Sequence, residues 1–240
     1  MKIHLSSFAK VAVCYAAAIS LGLQGATSAQ ALSAEKQPLH LTNMSTINAT
    51  TGFVKMTAEI HNQSDRWACI PTVVLRLRDS ADQDLKISSL STASAGGSFE
   101  DRVIASRQWL PPGESTPLMY MRDPKNISGK PSKVAARATA RDCRGEPAMV
   151  KVENFATEVT NKGWAKATGT IVVENGNCRA ASAVIAIYAA DGTIDAAYTV
   201  NPTPMEQIAK GGERIDFTRT SIPFTTETPK IKVWADCSAM

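Results

Sequence analysis

A chain of 240 residues, 44% of them hydrophobic and 20% charged, has room for two cores of ordinary domain size. Its formal net charge of +4 is too weak a field to hold nucleic acid or an anionic membrane surface by charge alone, so those partners are not expected.

The chain opens with a targeting segment. Lys2 and Lys10 make a positive start, Val11 to Leu23 is apolar apart from Ser20 and Gly22, and the small residues Ala26, Ser28, Ala29 and Ala31 follow. This pattern predicts a secretory signal peptide over residues 1–31, with cleavage after Ala29 or after Ala31, where Ala-Gln-Ala is the better match. The apolar run of thirteen residues is shorter than the roughly twenty that a membrane-crossing helix needs, so no transmembrane span is expected in the mature chain. Val13 stands where a lipid-modified Cys14 would need a small residue, so Cys14 leaves with the signal. The mature chain keeps four cysteines and 24 basic against 22 acidic residues, and its expected location is secreted or periplasmic.

Beyond the signal the pattern is that of strands. Val54, Met56, Ala58 and Ile60 alternate with Phe53, Lys55, Thr57, Glu59 and His61. The alternation returns as Ala165, Ala167, Gly169 and Ile171 against Trp164, Lys166, Thr168 and Thr170. Period two means one buried and one wet face. Richer apolar strands follow at Thr72 to Arg78, with Val73, Leu75 and Leu77 inward, and at Ser182 to Tyr188, with Ala183, Ile185 and Ile187 inward. Further strands read as Thr116 to Arg122, Lys133 to Arg141, Arg214 to Arg219 and Lys230 to Ala235. Turns punctuate them at Asn62 to Asp65, Pro111-Pro112-Gly113, Asn175-Gly176-Asn177, Asp191-Gly192 and Lys210-Gly211-Gly212. The regular spacing of short strands, without a long helical stripe, predicts β-sandwiches.

The same text is written twice. Leu39 to Ile60 lies over Val150 to Ile171 at a constant offset of 111 positions, with Asn43/Asn154, Thr46/Thr157, Gly52/Gly163, Lys55/Lys166, Thr57/Thr168 and Ile60/Ile171 identical. With small length changes, Cys69 answers to Cys178 and Asp142-Cys143 to Asp236-Cys237. Domains at 32–147 and 148–240 are therefore expected, joined with little slack at Arg144 to Pro147. Four cysteines allow three pairings. A bridge inherited by both copies must lie within each, which pairs Cys69 with Cys143 and Cys178 with Cys237. Closing loops of 74 and 59 residues stabilises each copy by about 4 kcal/mol in the chain-entropy model. A four-cysteine zinc site is excluded because no two of these cysteines sit two to four residues apart.

Ile185-Ala186-Ile187-Tyr188-Ala189-Ala190-Asp191-Gly192, followed by Gly212-Glu213 before a strand with Phe217, resembles the FxLYD-type and related immunoglobulin-like modules of bacterial secreted proteins. Ile185 stands where that family has Phe, and Leu75-Arg76-Leu77-Arg78-Asp79 in the first copy lacks both aromatics. The resemblance implies a non-enzymatic extracytoplasmic β-sandwich and carries no functional residues across. The expected fold is all-β: two tandem immunoglobulin-like β-sandwich domains, each with one internal disulfide.

Reactive constellations are sparse. His40 and His61 are the only histidines after the signal, and neither Gly-x-Ser-x-Gly, His-Glu-x-x-His nor a phosphate-cradling glycine loop occurs. Asp82 and Asp84 lack the rest of a calcium loop and read as a hairpin tip. Met119 and Met121 have the softness of copper ligands but the spacing of face packing. Trp67 and Trp234, close before cysteines, are expected to pack over the disulfides. No cofactor and no metal is expected. Residues 32–147 carry 15 basic and 12 acidic side chains, and Arg76, Arg78, Arg137 and Arg141 fall at outward positions, making a face for an acidic partner. The expected function is binding or structural, toward a protein or an envelope polymer. The alternatives are a periplasmic assembly chaperone acting by strand addition and a hydrolase with a site between the domains, lined by His61, Asp79 or Glu100.

Overall fold

The computed structural model describes residues 36–45, 52–88, 97–143, 145, 147–161 and 163–238. The signal peptide expected at 1–31 lies outside the described residues. In the first half the strands are β1 (Lys36–Thr42), β2 (Val54–His61), β3 (Ala68–Arg78), β4 (Asp101–Ile104), β5 (Trp109–Leu110), β6 (Ser115–Arg122) and β7 (Lys133–Asp142). They are antiparallel neighbours in the order β4-β3-β7-β1-β2-β6, with β5 on β3. β1 passes between layers: Lys36 to Leu39 pair with Arg141 to Ala138 of β7, and His40 to Thr42 with His61 to Glu59 of β2. The expected alternation holds, since Met56, Ala58 and Ile60 of β2 and Val73, Leu75 and Leu77 of β3 are fully buried in one core.

The second half contains β8 (Val150–Asn161), β9 (Trp164–Val173), β10 (Asn177–Arg179), β11 (Ser182–Tyr188), β12 (Ile194–Val200), β13 (Ile208–Lys210), β14 (Arg214–Pro223) and β15 (Lys230–Asp236). Its sheets run β14-β9-β8 and β12-β11-β15, with β10 paired to β13. Among the described residues each half pairs only its own strands, and each closes its own disulfide, Cys69–Cys143 with Cα atoms 5.1 Å apart and Cys178–Cys237 at 5.3 Å. The fold is thus all-β and sandwich-like, with both bridges as expected.

The repeated residues have a backbone cause. Asn43 and Asn154 adopt left-handed φ values of 50° and 52°, and Gly52 and Gly163 values of 77° and 83°. Asparagine and glycine are the residues that enter this region at least cost, so identity is kept where the chain bends the same way. Elsewhere sizes are exchanged. Ala58 pairs with Leu118 across β2 and β6, whereas Gly169 pairs with Phe217 across β9 and β14. A Cβ on Gly169 would lie 2.9 Å from the Phe217 ring, so the glycine yields the space the larger neighbour fills.

β11 departs from the one-wet-face expectation: all seven of its residues are buried. Ala183, Ile185 and Ile187 enter the core of the second half, as expected. Ala186 and Tyr188 face the other way and join Ile194 and Ala197 in a third cluster that takes in Met119 of β6 and Trp234 of β15. This seam joins the halves. Within it Thr57 Oγ1 donates to the Ile194 carbonyl at 2.6 Å, Tyr188 OH donates to Glu59 Oε1 at 3.1 Å, and Lys55 Nζ donates to the Asp195 carbonyl. A second latch is the Asp236 carboxylate, which accepts the backbone N–H groups of Gln108 at 2.6 Å and Trp109 at 3.2 Å. Burial pushes the Asp236 carboxyl up to about 7, against those two donors and the Arg107 charge, which draw it down.

Thr57→Val leaves the buried Ile194 carbonyl without its donor and should cost about 1–3 kcal/mol in urea unfolding, with Thr57→Ser near wild type. Equal loss in both variants would show that the hydroxyl contributes nothing. Folded Asp236 keeps its proton up to about 7, whereas an unfolded aspartate releases it near 3.9. Its stabilising contribution is therefore fully present below the unfolded value and declines as pH rises toward the folded one. The stability of wild type relative to Asp236→Asn should accordingly fall between about pH 4 and about pH 7. A difference that grows with pH would contradict this assignment.

Candidate binding face

The four arginines read from the sequence come to one sheet face, because they occupy alternate positions on adjacent antiparallel strands. Arg76 and Arg78 project from β3, and Arg137 and Arg141 from β7, with Val74 opposite Arg137 and Ala135 opposite Arg76. β4 adds a fifth, Arg102, paired opposite Val74. Sequence reading missed Arg102 because β4 is only four residues long and its register on β3 is not visible in a two-residue alternation.

The five are not equivalent. Arg76 donates to Glu100 Oε1 through Nη2 at 2.8 Å and Nε at 3.2 Å, and its Nη1 lies 3.6 Å from Asp84. Arg78 donates to Asp84 at 2.8 Å and Asp82 at 3.3 Å. Hydrogen bonding to Asp84 holds the Arg78 guanidinium above its ordinary value, and hydrogen bonds from Lys133 to Asp82 and from Arg76 to Glu100 hold those carboxyls below theirs. Asp82 and Asp84, the acidic pair weighed for calcium, are thus answered by cationic side chains. Arg137 reaches Glu100 only at 3.7 Å and is 69% exposed. Arg102 and Arg141 make no ion pair among the described residues.

These less committed guanidiniums flank a floor of short side chains. A hollow of about 360 Å³ is bounded by Val74, Arg76, Glu100, Ala135 and Arg137. A smaller one of about 80 Å³ lies between Thr72, Arg102, Thr139 and Arg141. Arg102 on β4 and Arg137 with Arg141 on β7 stand two strand spacings apart, about 10 Å. The result is a shallow channel with cationic walls.

The other singled-out residues are placed differently. His61 Nδ1 lies 3.1 Å from Ser115 Oγ across β2 and β6, but no carboxylate hydrogen-bonds to the ring among the described residues. Asp79 caps its own turn by accepting the Ala81 and Gln83 N–H groups, each at 2.9 Å, and Glu100 sits on the arginine face. His61, Asp79 and Glu100 therefore do not meet in one cavity. Among the described residues no group of three or more His, Cys, Asp or Glu side chains is arranged to hold a metal ion, and no helix is long and apolar enough to cross a membrane. Met119 and Met121 both line a cleft of about 650 Å³ between the halves, beside Lys55, Tyr198 and Phe224. Trp67 borders a surface hollow with Cys143, near the bridge it was expected to cover. Trp234 packs into the seam instead, and Trp109 of the first half is the indole that joins the core containing Cys178 and Cys237.

No protein-family model and no curated protein matches the chain. Among solved structures, a red sea bream transglutaminase is similar with a TM-score of 0.26 and 10% identity, over 85% of this chain and 30% of that one. The chain thus spans under a third of the structure it matches.

Proposed function

We propose that the protein is a non-enzymatic, extracytoplasmic binding protein whose ligand is a linear polyanion of the cell envelope. In this reading the chain is two tandem immunoglobulin-like copies, released by cleavage of residues 1–31. The first copy presents the arginine face and the second braces it. The observation that carries the reading is the placement of Arg102, Arg137 and Arg141 on either side of a floor built from Thr72, Val74 and Thr139. Guanidinium groups suit carboxylate, sulfate or phosphate because their donors form a planar fork. A channel about two strand spacings wide takes one extended chain. The acidic ridge of Asp82, Asp84 and Glu100 on the same face screens Arg76 and Arg78 and favours entry along the Arg102 side. Two disulfides persist only where the surroundings are oxidising, which supports a location outside the cytoplasm.

Arg102→Gln/Arg137→Gln/Arg141→Gln should weaken binding to a polyuronate or polyphosphate probe by about threefold to a hundredfold at moderate salt, since exposed ion contacts contribute about 0.2–1 kcal/mol each. Glu100→Gln, which frees Arg76, should tighten it. Calorimetric titration of the full mature chain measures both, and equal affinity in all three proteins would remove the proposal.

A further inference from the structure

The last strand of each half meets a different neighbour. In the first half, β7 is flanked by β3 on one side and by Lys36 to Leu39 of β1 on the other. In the second, β15 pairs with β11 on one side and, among the described residues, with no strand on the other. The segment that the repeat would send there, Pro147 to Val150, stays instead beside the end of β9: Val150 pairs with Val173, the Glu174 N–H donates to the Met149 carbonyl, and the Met149 N–H donates to Asn175 Oδ1. The sheet of the second half therefore has one edge, beside β8, to which no described strand is hydrogen-bonded.

This edge is shaped for a strand. β15 pairs with β11 in unbroken register from Asp236 opposite Ser182 to Lys230 opposite Tyr188, so its backbone is straight and evenly presented. The other terminal strands are blunted, as exposed edges usually are. β4 has four residues, β6 contains Pro117, and β8 and β14 carry register shifts. β12 is braced by Lys55 and Thr57 of the first half. On β15 only two lysines interrupt the edge. Beside it, Ile231 and Val233 of β15 and Val150, Val152 and Phe155 of β8 pack on the core of the second half but are only partly buried. An added strand would cover them as β1 covers the first core.

We propose that the free edge of β15 receives an extended segment of a partner protein in which apolar and acidic residues alternate. Apolar side chains on one face of that segment continue the core beside Ile231 and Val233. Acidic side chains on its other face meet Lys230 and Lys232, which are exposed on the outer face of β15. Lys232 is held ready by the Tyr188 ring, with Nζ 4.6 Å from its centroid. A second copy of this chain is the poorer occupant, because edge-to-edge pairing would bring four lysines together on one face. Main-chain hydrogen bonds supply affinity in this mode and alternate side chains supply selectivity.

The test is hydrogen–deuterium exchange on the full mature chain with a synthetic peptide of about ten residues alternating valine and glutamate, and with its valine–lysine counterpart. The acidic peptide should slow exchange at Lys230 to Ala235. The basic peptide should not, and Lys230→Glu/Lys232→Glu should reverse the preference by about tenfold or more. Absent protection of β15, protection indifferent to peptide charge, or protection arising from dimerisation without peptide would each overturn the proposal.

Discussion

Burial of β11 on both faces is the constraint from which the rest of the molecule follows. A strand with one apolar face can serve a sandwich standing alone. Here Ala186 and Tyr188 complete a cluster only when β6 lies over them. Fully burying a side chain of valine or isoleucine size is favourable by about 1.5–3 kcal/mol, so a seam of this kind makes separation of the halves costly. The polar contacts then fix the alignment. Thr57, Tyr188 and Asp236 each pair a buried group across the boundary, and a shift of either half would leave them unsatisfied. Orientation is set by hydrogen bonds and adhesion by apolar area.

The two halves differ face by face. β3 and β11 follow the first cysteine of their halves and supply inward residues to their cores. Their outward residues took different paths: Arg76 and Arg78 on β3 face water and acidic neighbours, whereas Ala186 and Tyr188 on β11 face protein. The face that in one half packs against its neighbour is, in the other, open to water. The edges differ as well: β1 crosses between layers and β8 does not.

Much of this was legible from residue order. The alternation in β2 and β9 is a direct image of a half-buried sheet, and the internal repeat selected the disulfide pairing that the structure shows. Asn43 and Asn154 stood out as identities before their shared left-handed backbone gave the reason. The seam was harder to see. Ser182 to Tyr188 reads as an uninterrupted apolar run, a signal of burial on both sides, but nothing in a single sequence says what covers the second side. The arginine face was readable as a row of outward residues, yet its partial neutralisation depends on Glu100 and Asp84 arriving from distant segments. Trp109 leads into the Pro111-Pro112-Gly113 turn and gave no hint that it would reach the opposite core. Asn62 occupies an Asn-x-Ser/Thr sequon on paper. In the structure it is fully buried, with its amide donating to the Arg66 and Leu110 carbonyls.

Asp236 and Cys237 are adjacent in the chain, and each does a different job: the carboxylate clasps the backbone at Gln108 and Trp109, and the sulfur anchors the strand to Cys178. Cross-link and clasp are therefore mechanically in series. Whatever breaks the covalent tie also slackens the support of the clasp, so a reducing environment would loosen the elbow between the halves as well as the half that carries the bridge. In this molecule the Cys178–Cys237 bridge thus bears on stiffness as well as on integrity.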